Sequence, residues 1–115
     1  MRTSLKGRAV GPKKSKYSNI KMVVDNITFA SRKEGRRYQD LKILLRSGAI
    51  QGLDLQPEYE FYYQGVKICK YIADFRYIEN NVLIVEDVKG GPRTPVYRIK
   101  AKLLKAFFNI TVRET

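Results

Sequence analysis

The chain has 115 residues, enough for one small domain with a modest core. Its 23 Lys and Arg against 11 Asp and Glu leave a net charge of +12, which points to a polyanionic partner. The lack of any histidine excludes His-based nucleophile systems and His-ligated zinc, and the single cysteine, Cys69, excludes an internal disulfide.

One unpaired thiol fits a reducing, cytoplasmic setting. No apolar run approaches membrane-spanning length, and the basic start lacks the apolar stretch of a secretory signal, so a soluble, unexported protein is expected.

Residues 1–19 carry Arg2, Lys6, Arg8, Lys13, Lys14 and Lys16 without an acid, broken by Gly7, Gly11 and Pro12. This reads as a flexible basic arm, either a solvated terminus or one drawn to phosphates by counterion release. In the second case Lys13, Lys14 and Lys16 are candidate nucleic-acid contacts, and residues 20–115 form the folded domain. From Ile20 to Phe29, β-branched residues surround Asp25-Asn26, the pattern of a small hairpin. Ser31 followed by Glu34 makes a capping box and Gly48 stands where a left-handed terminator belongs, so a helix is predicted over Arg32–Ser47. At about 100° per residue, Glu34, Tyr38, Leu41 and Leu45 share one stripe, which turns a carboxylate toward the packed face, and Ile43 points outward.

Glu58–Tyr63, Val66–Ile78 and Val82–Lys89 read as three strands of an antiparallel meander, joined at Gln64-Gly65 and Asn80-Asn81. Thr94-Pro95 supplies an N-cap and first-turn proline for a second helix, with Val96, Ile99, Leu103 and Phe107 as its expected buried stripe. Arg98, Lys102 and Lys105 then form a basic outer face and Lys100 lies beside the stripe. Asn109–Arg113 reads as a last short strand. The order helix, three strands, helix, strand predicts an α/β or α+β fold in which helices flank one mixed sheet.

A two-residue loop at Asn80-Asn81 places Asp74 opposite Asp87, with Cβ atoms roughly 5 Å apart. Alternation puts Lys89 on the same face and Glu86 on the other. A three-residue loop would instead oppose Asp74 to Glu86. Two ionised carboxylates this close require a shared proton or a cation. Mg²⁺ is the economical choice, since it takes oxygen ligands and completes its shell with water and substrate phosphate. Phosphodiester hydrolysis suits such a site, with Lys89 orienting water or stabilising the pentavalent state. Glu34 could hold a metal-bound water or a second ion, and Gly90-Gly91 either admits a bulky backbone such as DNA or merely links strand to helix. Plainer roles stand beside these: Glu34 completing its capping box, and Asp74 and Asp87 pairing with Lys89 or Arg76. They leave unexplained why three acids and a lysine converge.

The arrangement Glu34, Asp74, Asp87-Val88-Lys89 resembles the PD-(D/E)xK nuclease superfamily. Ser31-Arg32-Lys33-Glu34, Gln56-Pro57, Tyr71-Ile72-Ala73-Asp74-Phe75 and Glu86-Asp87-Val88-Lys89-Gly90 resemble small phage and prophage nuclease-like proteins, over about Lys16 to Glu114. The resemblance implies a restriction-endonuclease-like core, with Asp74, Asp87 and the Val88 carbonyl as ligands of Mg²⁺, for which Mn²⁺ would substitute. Lys89 would be the motif lysine and Glu34 the helix carboxylate. The motif's leading proline is replaced by Ala73, and its second acid is Asp rather than Glu.

The expectation is therefore a Mg²⁺-dependent endodeoxyribonuclease of phage recombination or replication, acting on DNA that includes branched, Holliday-junction-like forms. Lys13, Lys14, Lys16, Arg98, Lys100 and Lys102 would hold the backbone. Paired cuts would call for a homodimer, with Ile43 a candidate contact. The rivals are a non-catalytic nucleic-acid-binding protein using the same basic surface, and an assembly subunit that meets an acidic protein.

Overall fold

The computed structural model describes residues 20–115; the basic arm, with Lys13, Lys14 and Lys16, lies outside the described residues. Strands β1 (Met22–Val24) and β2 (Ile27–Phe29) form the small hairpin, turned by Asp25 and Asn26 at φ 55° and 64°. Helix α1 spans Arg32–Ser47. Ser31 Oγ accepts the Glu34 N–H at 3.1 Å, and Gly48 closes the helix at φ 87°, a conformation that only glycine adopts without cost. Its buried residues are Glu34, Gly35, Tyr38 and Leu41. Leu45 departs from the expected stripe and is exposed, because the last turn packs Leu44 inward instead.

The rest of the strand order differs from expectation in one instructive way. Strands β3 (Gln51–Leu55) and β4 (Glu58–Tyr63) run antiparallel to β6 (Phe75–Glu79) and β5 (Val66–Ile72), and one register carries across the bend from Asp54 opposite Arg76 to Phe61 opposite Cys69, with a one-residue shift beyond each end, so the four segments form a single long ribbon. The ribbon bends where Gln56, at φ 51°, precedes Pro57, opposite Ala73 and Asp74. Backbone bonds Gln56 N to Asp74 O (3.0 Å) and Ala73 N to Pro57 O (3.1 Å) hold the bend closed. The predicted strand Val66–Ile78 is thus two strands divided at this bend, and β3 was not anticipated. Five strands, not three, separate the helices.

Strand β7 (Val82–Asp87) pairs antiparallel with β6 through a two-residue turn at Asn80 and Asn81, both at positive φ. Phe75 faces Glu86 and Glu79 faces Val82, the register the two-residue loop demands. Helix α2 spans Pro95–Phe108, with Thr94 Oγ1 accepting the Tyr97 N–H at 3.1 Å. The final strand, β8, lies at Arg113–Glu114, parallel to β7, whereas Asn109, expected to open it, is the left-handed cap of α2. The main sheet, in the order β3-β6-β7-β8, is therefore mixed, and the fold is α+β.

Two cores flank the sheet. Phe29, Tyr38, Leu41, Ile50, Phe75 and Tyr77 pack beneath α1. Phe61, Tyr71, Ala73, Val85 and Leu104 pack beneath α2, with Cys69 at their margin as a small filler. Because Phe75 pairs with Glu86 while Val85 pairs with Arg76, the two clusters lie on opposite faces. Helix α2 buries a different stripe from the one expected. Leu104 is the residue it buries, whereas Val96 and Ile99 are 61% and 60% exposed. Among the described residues no helix is long and apolar enough to cross a membrane.

Candidate functional site

A cleft of about 830 Å³ opens where the ends of β5 and β7 meet the first turns of both helices. Its lining brings together Glu34, Asp74, Asp87, Val88, Lys89 and Lys100. Of the other residues singled out from the sequence, Arg98 and Lys102 sit on the exposed flank of α2 and do not line it. Ile43 is 60% exposed on α1.

The acids reach the cleft through the backbone. Asp74 sits at the ribbon's bend, where its C=O accepts from Gln56 N at 3.0 Å and its N–H donates to Glu86 O at 3.2 Å, and β7 ends at Asp87, so each carboxylate is anchored on the other's segment. Asp74 N donates to Asp87 Oδ1 at 3.1 Å, and Val88 N donates to Asp74 Oδ2 at 2.8 Å. Both side chains are buried, at 5% exposure, and Glu34 is similarly buried at 6%. Lys89 Nζ stands 3.2 Å from Asp87 Oδ2 and 3.4 Å from the centre of the Tyr97 ring, an ion pair backed by a cation–π contact. Glu86 points to the opposite face, as alternation requires. There it is fully buried and takes hydrogen bonds from Arg37, Tyr77 and Thr115.

Several residues at the site were not among the site residues expected from the sequence. The Tyr71 hydroxyl donates to Asp87 Oδ2 within the second core. Burial, together with the neighbouring Asp87 charge, pushes the Tyr71 pKa far up, so it acts as a fixed donor. Tyr97 is raised by burial and by its 2.7 Å bond to Glu114, which orients the ring beneath Lys89. Lys33 Nζ donates to the Lys89 carbonyl at 2.6 Å and ties α1 to the end of β7. Arg32, Lys33 and Lys70 join Lys89 and Lys100 as cations of the lining.

The donor set can be weighed against a hard cation. Among the described residues no group of three or more His, Cys, Asp or Glu side chains is placed to hold a metal. Two carboxylates fixed by backbone N–H groups, with Val88 beside them in the lining of an open cleft, are nevertheless oxygen donors of the kind Mg²⁺ takes while keeping waters and recruiting substrate oxygens.

No curated protein and no solved structure matches the chain significantly. Residues 14–114 match the model of a family described as protein of unknown function (DUF1064), and the chain belongs to that family.

Proposed function

We propose that the protein is a Mg²⁺-dependent endodeoxyribonuclease working in the cytoplasm. The observation that supports this best is the meeting of Asp74, Asp87 and Lys89 in one cleft rimmed by cations. Asp74 and Asp87 would hold the ion, with the Val88 carbonyl as a further oxygen donor. A bound Mg²⁺ would acidify water and offset charge on the phosphate. Lys89, steadied by the Tyr97 ring, places an ammonium where negative charge grows on a phosphate in the cleft. Arg32, Lys33, Lys70 and Lys100 draw the DNA backbone to the acids, which would otherwise repel it. Glu34 orients water from the helix side.

The test incubates supercoiled, single-stranded and four-way DNA with the protein and Mg²⁺ or Mn²⁺, comparing wild type with Asp87→Ala and Lys89→Ala. Cleavage by wild type alone, with DNA binding retained in both variants, is the expected result. Preference for the four-way substrate, with dimers in sedimentation, would support junction resolution. Binding without cleavage would overturn the nuclease reading in favour of a non-catalytic DNA-binding protein, in which the Asp87–Lys89 ion pair is only structural.

A further inference from the structure

Helix α2 is more apolar than its place in the fold requires. At about 100° per residue its apolar residues run from Ala106 round to Ala101 through an arc of about 220°, divided in two by Lys100 and twice what covering one face of a sheet needs. One half of that arc is used: Leu104 is buried, Tyr97 and Ala101 are partly buried, and Phe108 packs edge-on against Tyr59 with its ring 5.4 Å away. The other half is covered only along one margin, where Leu103 lies against the second core and Phe107 packs edge-on against Phe61 with ring centroids 5.6 Å apart. Val96 and Ile99 beside them are 61% and 60% exposed, and with the partly exposed edges of Leu103 and Phe107 they form a continuous apolar stripe. Val96, Ile99, Leu103 and Ala106 stand at alternating three- and four-residue steps, the spacing with which one helix receives another.

Charge selects the occupant. Lys100 and Lys102 border the stripe on its two sides, Arg98 and Lys105 lie beyond, and α2 contains no acid. A second copy of this chain laid on the stripe would set these cations against their own equivalents, with no carboxylate on either helix to separate them. We infer that the outward stripe of α2, centred on Val96 and Ile99, docks an acidic amphipathic helix from a different protein. The partner's apolar residues would cover the stripe, and its flanking carboxylates would meet Lys100 and Lys102. This surface starts at Val96, on the lip of the cleft, so such a partner would sit beside the candidate active site. The inference stands independently of the nuclease reading.

The test uses the full chain and synthetic helical peptides, with fluorescence anisotropy as the readout. One peptide carries Leu at the seam and Glu on its flanks, a second has Lys flanks, and a third has Ser at the seam with Glu flanks. The first should bind, and the second and third should bind at least about tenfold more weakly. Ile99→Gln, at an exposed position of a helix that glutamine suits, should lower affinity for the first about tenfold, while Ile99→Leu restores it. Equal binding of the Ser-seam peptide would reduce the effect to charge alone and overturn the proposal. So would loss of duplex DNA binding in Ile99→Gln, which would assign the stripe to nucleic acid. Sedimentation showing self-association abolished by Ile99→Gln would assign it to a second copy and overturn the proposal equally.

Discussion

Glu86 is the acid that the fold, rather than the cleft, claims. Arg37 Nε and Nη2 donate to it at 2.6 and 3.1 Å, Thr115 Oγ1 at 3.0 Å, and the Tyr77 hydroxyl completes the set. Burial works to raise its pKa, but the bonds from Arg37 and Tyr77 outweigh burial and hold it below the ordinary 4.5. A carboxyl depressed in the folded state contributes stability that is fully present above the unfolded pKa and is lost as pH falls through the folded value. Arg37→Ala strands a buried charge, so it should cost about 3 kcal/mol at pH 7 in urea unfolding. It should also reverse the sign of this contribution. With its guanidinium partner gone, burial raises the Glu86 pKa above its unfolded value, and the variant's deficit relative to wild type shrinks as pH falls below about 5. A deficit unchanged between pH 7 and pH 4 would show that Glu86 does not depend on Arg37 for its charge. Tyr71 is the corresponding support for Asp87. On the nuclease reading, Tyr71→Phe should raise the Mg²⁺ concentration needed for half-maximal cleavage about tenfold, with DNA affinity measured in EDTA unchanged. Equal loss of both would mean that the hydroxyl serves the core.

The β6–β7 turn shows how one element sets the site. Asn80 and Asn81, at φ 52° and 64°, make the two-residue turn that sets Phe75 against Glu86 and hence carries Asp74 to Asp87. Asn81→Ala should destabilise the fold by about 1 kcal/mol in urea unfolding, and Asn81→Gly should recover that loss, because alanine bears the left-handed backbone poorly. Equal stability of the two variants would mean that the turn is held by its strands. Signals of this local kind made much of the fold legible: the Asn pair, the Ser31 and Thr94 caps and Gly48 each mark an element end, and strand parity alone separates Asp87 and Lys89 from Glu86. What was not legible depends on distant partners. The bend at Gln56-Pro57 is invisible in Val66–Ile78, whose residues read as one strand. Strand β3, Gln-Gly-Leu-Asp-Leu, has little β propensity and exists because the ribbon continues past the bend. The broad apolar arc of α2 could not reveal which half would meet the sheet. Tyr71 and Tyr97 enter the site through packing of the second core, which no spacing rule encodes.

At the scale of the whole molecule, the positive charge is divided evenly, six net charges in residues 1–19 and six in 20–115. Ile20, the first described residue, lines the cleft, so the chain leading from the basic arm enters the domain at the site itself. Within the domain many cations are already matched: Lys42 to Asp25 at 2.5 Å, Arg76 to Asp54 at 2.9 Å, Arg93 to Glu114 at 2.6 Å and Arg113 to Glu79 at 3.0 Å. The cleft differs, because five cations there, Arg32, Lys33, Lys70, Lys89 and Lys100, share it with three acids, two of which a divalent cation would neutralise. Among these, Lys70 has only a loose 3.5 Å pairing with Glu58, and Lys33 is engaged by a neutral carbonyl. Both can turn to phosphate without leaving a buried acid unpaired. Each phosphate contact contributes about 0.9 to the slope of log affinity against log salt. Lys33→Ala combined with Lys70→Ala should therefore flatten that slope by about 2 for a DNA duplex titrated in EDTA, where no cleavage intervenes. The substituted positions are partly or fully solvent-facing, so thermal unfolding should stay near wild type. An unchanged slope would move the DNA path away from the cleft and separate the acids from the substrate they are proposed to cut.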